Sequence, residues 1–110
     1  MEQRVKNAIM DSLKYIKRHS AETIDIKKLS KNLKFSYGYF ERIFKRQIGV
    51  TPKTFQIELR LKDAVEMLKK TNLRVDEIII HSGFRNRTQF FHLFSKQYGS
   101  SPVSFRKHKK

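Results

Sequence analysis

Apolar residues recur at three- and four-residue intervals through most of the chain, the spacing of helices buried on one side. Val5, Ile9, Leu13 and Ile16 form such a stripe over residues 3–19, with Lys6, Lys14, Lys17 and Arg18 mostly off it. The polar stretch Ser20 to Thr23 reads as a connection, and Ile24 before Asp25 as the outer half of a hydrophobic staple. Asp25 suits the N-cap of a short helix carrying Ile26, Leu29 and Leu33. Phe40, Ile43, Phe44 and Ile48 then mark a third helix, and Phe90, Leu93, Phe94 and Tyr98 repeat its spacing. Ahead of that second group lies another short helix, with Asp76 as its expected cap and Ile78, Ile79 and, as a third, Ile80 as its apolar face. The expected fold class is all-α.

The two Phe-striped segments are copies. Shifted by 50 positions, Phe40, Phe44, Gln47, Gly49, Pro52 and Phe55 fall on Phe90, Phe94, Gln97, Gly99, Pro102 and Phe105. Gly49 and Gly99 predict helix stops, because the residue after a helix often needs a positive φ. Thr51-Pro52 and Ser101-Pro102 predict restarts, a hydroxyl cap followed by proline at the first helical position. The corners upstream, Lys34-Phe35-Ser36 and Gly83-Phe84-Arg85-Asn86, align at a shift of 49, so the second is one residue longer. A short helix, a tight corner and a longer helix make a helix-turn-helix unit. Two are expected, over about residues 26–48 and 76–98, in subdomains 1–51 and 72–110.

Between them, residues 52–71 read as one long helix. Phe55, Leu59, Leu61, Ala64, Val65, Met67 and Leu68 give it apolar surface on more than one side, as contact with both units requires. Twenty residues rising ~1.5 Å each span ~30 Å, close to the ~34 Å between successive major-groove faces on one side of B-DNA. Such a helix is expected to set two reading helices about one duplex turn apart. Asn72-Leu73-Arg74-Val75 reads as a short hinge. The tail Arg106-Lys107-His108-Lys109-Lys110 reads as a fraying cationic run, suited equally to phosphate and to solubility.

Charge turns this helical fold into a candidate polyanion binder. Lysine and arginine number 25 against 10 aspartate and glutamate, a net charge of +15. That excess costs self-repulsion in the folded state and draws polyanions, nucleic acid first. With no cysteine there is no disulfide framework and no thiolate metal site. No run approaches the roughly 18 apolar residues of a membrane span, and Met1-Glu2-Gln3-Arg4 does not open a signal peptide. A cytoplasmic protein is expected. Glu77 and His81 lie one turn apart, but a pair without further ligands argues for no metal. HExxH, P-loop, GxSxG and paired-carboxylate patterns are missing, so no enzyme, cofactor or small-molecule site is expected.

The outward faces supply the candidate chemistry. With Phe40 turned to the core, the far side of the first reading helix carries Gly38, Arg42, Lys45 and Arg46, flanked by Tyr37, Tyr39 and Glu41. With Phe90 inward, the second presents Thr88 and His92, flanked by Arg87, Gln89, Phe91, Ser95 and Lys96. Side chains near a recognition helix's start reach base edges, and later basic ones reach phosphates. Arg42 and Arg87 suit guanine O6 and N7, and Gln89 or Asn86 suits adenine N6 and N7. Asn86 fits an N-cap role equally, Gln89 a merely solvated one, and Arg42 a phosphate or intrahelical contact. An exposed Phe91 beside the inward Phe90 could meet a thymine methyl, the sugar backbone, or the core after all. Lys45, Arg46, Arg85 and Lys96 are the phosphate candidates, with backbone N–H groups at helix starts.

These residues resemble the DNA-binding domain of AraC/XylS-type bacterial transcription regulators. The resemblance covers about residues 5–108. It rests on Gly83-Phe84, on Phe90-x-x-x-Phe94 with Gly99, Ser101-Pro102 and Phe105-Arg106, and on Arg60-x-x-x-Ala64-x-x-Met67-Leu68. It implies seven helices, with two homeodomain-like helix-turn-helix subdomains joined by a long linker helix. It implies double-stranded DNA as partner, with recognition helices in adjacent major grooves, an activator role, and RNA polymerase as a further partner by analogy. Carried over by position, it favours Gly38, Glu41 and Arg42 in the first helix and Arg87, Thr88, Phe91 and His92 in the second as base-proximal. The chain departs from the family at Ser30 and Ile79, where a small alanine is usual, and at Gly38, often a larger side chain. Lys34 stands where some members have a turn glycine, which predicts a lysine with positive φ or a different turn. A separate sensing domain is not in this sequence, so the chain resembles a stand-alone monomer or a fragment of a larger regulator. Two rivals remain at this level: a non-specific architectural binder, and a basic helical adaptor for an acidic partner.

Overall fold

The computed structural model describes residues 2–108. Among these the secondary structure is helical throughout, with seven helices and no strand. The chain divides into two compact units, Met1–Glu58 and Leu59–Lys110, and the long helix α4 (Pro52–Lys70) contributes its first turns to one and the rest to the other.

The first unit holds α1 (Gln3–Arg18), α2 (Ile26–Asn32) and α3 (Tyr37–Ile48). Its core takes Val5, Ile9 and Ile16 of the foreseen stripe on α1, with Ala8 added, and Phe40, Ile43 and Phe44 from α3, while Leu13 and Ile48 are only half-buried. Phe55 of α4 closes it edge-on to Phe44, ring centroids 5.8 Å apart. Asp25 and Thr51 cap α2 and α4 as the sequence predicts, Ser36 caps α3 as well, and α1 starts at Glu2 without a side-chain cap. Asp25 accepts from Lys28 N–H at 3.0 Å, Ser36 from Tyr39 N–H at 3.3 Å and Thr51 from Thr54 N–H at 3.2 Å. Ser30, standing where the family usually has alanine, is buried with its hydroxyl donating to the Lys27 carbonyl at 2.8 Å. A serine can therefore stand at the packed face without an orphaned polar atom. Lys34 does take the left-handed conformation, at φ 67°.

The second unit repeats the plan with the remainder of α4, then α5 (Val75–His81), α6 (Arg87–Tyr98) and α7 (Pro102–Lys107). Leu61, Ala64, Val65, Leu68, Ile78, Ile79, Phe84, Phe90 and Phe94 are buried, and Phe105 meets Phe94 edge-on at 5.7 Å. Gly49 and Gly99 end α3 and α6 with left-handed φ of 98° and 74°.

Three expectations fail here. Asp76 is not the cap of α5. The helix starts earlier, Arg74 sits at the cap, and the Glu77 carboxylate accepts from Arg74 N–H at 3.0 Å. With a carboxylate already supplied from the third helical position, the start has no need of a capping side chain at residue 76. Ile80 is not core either: it is 73% exposed, because Ile78 and Ile79 already fill the inward face of so short a helix. Arg106, assigned to a fraying tail, is held inside α7. Its guanidinium donates to the carbonyls of Leu68 at 3.2 Å, Leu73 at 2.6 Å and Thr71 at 3.2 Å. The fork thus satisfies carbonyls at the end of α4, where the helix dipole favours a cation, and in the connection that follows it. Lys109 and Lys110 lie outside the described residues.

Candidate nucleic-acid interface

Both reading helices turn their phenylalanines inward and their polar residues out. On α3, Phe40 and Phe44 are buried completely, while Tyr37, Gly38, Tyr39, Arg42, Lys45 and Arg46 are exposed and Glu41 is half-buried. On α6, Phe90 and Phe94 are buried completely, while Arg87, Thr88, Gln89, His92 and Lys96 are exposed. Asn86 and Arg85, just before α6, are exposed as well.

The first turn of α3 is tied down by its own side chains. Tyr37 Oη donates to Glu41 Oε2 at 2.9 Å, and this bond holds the phenol's pKa above its usual value. Lys27 of α2 places its ammonium over the Tyr37 ring, 5.7 Å from the centroid. The Arg42 guanidinium lies 5.9 Å from the centre of the Tyr39 ring, which answers the open question of its intrahelical neighbour. Gly38 faces open space, and a Cβ there would meet no protein atom within 4 Å. A glycine kept in an exposed helix where alanine would fit forgoes about 0.5–1 kcal/mol of helix stability.

The first turn of α6 is built from other parts. Asn86 caps the helix, its Oδ1 accepting from Gln89 N–H at 2.8 Å. That occupies its oxygen and leaves its amide NH2 for any further contact. Arg87 forms an ion pair with Asp76 of α5 and lies over the Phe91 ring at 4.7 Å. Phe91 is therefore half-buried rather than exposed, with one edge against Phe90 at 5.7 Å and its face under Arg87. Arg85 adds positive charge beside Arg60, whose guanidinium pKa is lowered by burial first and by Arg85's charge second.

Two partners of the candidate residues went unnoticed in the sequence, and one signal would have found both. Lys27 and Asp76 occupy the same place at the 49-residue shift of the short helices, as Tyr37 and Arg87 do at the 50-residue shift of the reading helices. In each unit the second residue of the short helix reaches the first residue of the reading helix. Among the described residues no cluster of His, Asp and Glu could hold a metal ion, and no helix is long and apolar enough to cross a membrane.

Two units of short helix, corner and longer helix, with cationic outward faces, define a helix-turn-helix DNA-binding protein. The family model described as a helix-turn-helix domain matches residues 29–108. The chain belongs to the AraC-type helix-turn-helix family. It is 33% identical over 95 residues to the uncharacterized HTH-type transcriptional regulator YobQ of Bacillus subtilis, covering 86% of this chain and 39% of that protein. It is similar to the solved DNA-binding domain of AdpA, a global transcriptional factor, in complex with a target DNA. There the TM-score is 0.83 at 27% identity, over 90% of this chain and 89% of that one. A probable AraC family transcriptional regulator from Rhodopseudomonas palustris also gives 0.83, at 25% identity over 92% and 95% of the two chains. The chain spans 39% and 34% of the lengths of YobQ and YisR, two curated relatives from Bacillus subtilis. These relatives are transcriptional regulators rather than enzymes.

Proposed function

We propose that the chain binds double-stranded DNA sequence-specifically as a cytoplasmic transcriptional regulator, an activator by family analogy, with RNA polymerase as a further partner. The observation that carries this reading is the α6 surface. Arg87, Thr88, Gln89 and His92 are exposed on the helix whose Phe90 and Phe94 are buried. In this reading Arg87 takes guanine, Gln89 or the free amide of Asn86 takes adenine, and Thr88, Phe91 and His92 lie against neighbouring bases. On α3, Tyr37, Gly38, Tyr39, Glu41 and Arg42 form the corresponding set. Lys45, Arg46, Arg85 and Lys96 grip phosphates and set register without reading sequence.

Residues 1–51 and 72–110 act as two readers, with 52–71 as the spacer. The 19 residues of α4 rise about 28 Å. That length supports insertion into successive major grooves, by a monomer or by a fragment of a longer regulator.

Selection from a random duplex library tests the reading, with two information-rich blocks one helical turn apart as the expected outcome. On the recovered duplex, Arg87→Ala should cost about 1–3 kcal/mol and relax preference at one base pair. Lys96→Ala should weaken all duplexes alike. An Arg87→Ala chain that lost random and selected DNA equally would leave the non-specific rival standing.

A further inference from the structure

The cap of α5 does not require the pairing of Asp76 with Arg87. Asp76 does not cap α5, since Glu77 accepts the bond from the Arg74 N–H. The same position in the first unit is Lys27, of opposite charge, set over Tyr37. The architecture therefore accepts either sign there. What differs is the side chain beyond it, a tyrosine in one unit and an arginine in the other.

From this we infer that Asp76 is a positioning residue for specificity, acting through Arg87; the inference rests on Arg87 reading a base. Both members of the pair are more than half exposed, at 61% for Arg87 and 57% for Asp76, so DNA can reach the remaining N–H donors of the guanidinium while the carboxylate keeps its own. The Phe91 ring supports the guanidinium from its face. Two restraints from two directions leave the planar fork few orientations to lose on binding, which favours bidentate contact with a base edge.

The carboxylate also acts against the wrong ligand. An arginine that stays paired with Asp76 gains little from a lone phosphate, because its charge is already offset and the nearby carboxylate repels the phosphate. Guanine O6 and N7 offer two aligned acceptors at once. Held near the duplex, Asp76 also repels the backbone uniformly. It thus lowers affinity for DNA in general and raises discrimination at one base pair, which is specificity gained by penalising the alternative.

The test uses the full chain, a duplex recovered from random selection, its single-pair variants and a random-sequence duplex. Asp76→Asn should bind the random duplex more tightly, with a salt slope steeper by about 1. Its discrimination at the pair read by Arg87 should fall about two- to fivefold, the range open to an exposed ion pair, and other pairs should be unchanged. Asp76→Glu should restore much of that discrimination. In an Arg87→Ala background, Asp76→Asn should leave discrimination at that pair unchanged. If Asp76→Asn lowered the melting midpoint and weakened every duplex together, the residue would be structural and the inference overturned. If Arg87→Ala were selective and Asp76→Asn silent, the inference alone would fall. If Arg87→Ala were itself unselective, base reading by Arg87 would fall and carry the inference with it.

Discussion

The two units share one plan and spend it differently at the start of the reading helix. In the first, the aromatic comes first and the acid one turn later: Tyr37 bonds Glu41, and a lysine from the neighbouring helix covers the ring. In the second, the cation comes first and the aromatic one turn later, with the acid supplied by the neighbouring helix. The first arrangement engages its anion and its phenol with each other. The second holds a guanidinium at the surface in a fixed pose. Equivalent positions can therefore keep a backbone and exchange chemical roles, and the repeat in the sequence is a guide to architecture rather than to which unit does the reading.

The same comparison recurs one residue past the closing phenylalanines, where the largest effects are expected. Gln56 follows Phe55 and donates from Nε2 to the carbonyls of Ser20 at 3.0 Å and Glu22 at 2.7 Å. Arg106 follows Phe105 and serves the end of α4. Each unit is thus tied back to the exit of its own first helix. Arg106→Ala should cost about 2–3 kcal/mol, since a charged donor leaves several carbonyls unserved, and Gln56→Ala about 1–2 kcal/mol. Urea denaturation orders the two, and Arg106→Lys should recover little because an ammonium cannot reproduce the fork. Equal losses would mean that the charge contributes nothing beyond the hydrogen bonds.

A smaller contrast lies at the corners. Lys34 has φ 67° and Gly83 has φ 99°. Gly83→Ala should destabilise by about 1–2 kcal/mol, whereas Lys34→Gly should stabilise by under about 1 kcal/mol, because relief of strain is offset by a freer unfolded chain. Opposite signs in thermal melts are the expected result; a loss at both corners would mean that Lys34 supports its turn by other contacts.

The smallest effect is one of pH, and its hydrogen-bond part belongs to the first unit. Tyr37 has its pKa raised by Glu41, so the contact is fully present below the unfolded tyrosine value of about 10 and is lost only as pH rises through the folded value. Stability should accordingly show no loss from this group between about pH 7 and 9. In a tyrosinate absorbance titration, Tyr37→Phe should remove one late-titrating group and leave Tyr98, raised by burial, in place.

Local signals account for most of what could be read from the sequence. The phenylalanine spacing, the glycines after α3 and α6, and the hydroxyl-proline restarts each act within a turn or two of chain, so Phe40, Gly49 and Thr51 were legible without the fold. The start of α5 was not, because Asp76 and Glu77 stand side by side and only backbone geometry decides which one meets the cap. Phe91 sits at the border of the helix face, where angle alone cannot divide core from solvent. Gln56 and Arg106 were illegible for another reason: their partners lie more than 30 residues away in sequence, and the two side chains look unlike each other.

The ties made by Gln56 and Arg106 limit where this chain can be cut. A fragment ending at residue 51 would carry all of α1, α2 and α3, yet lack both Phe55 and the amide that seals the exit of α1. Each repeat therefore borrows the opening turns of whatever helix comes next. Two repeats need seven helices rather than six, and the last of them, α7, exists to finish a job that α4 performs for the repeat before it.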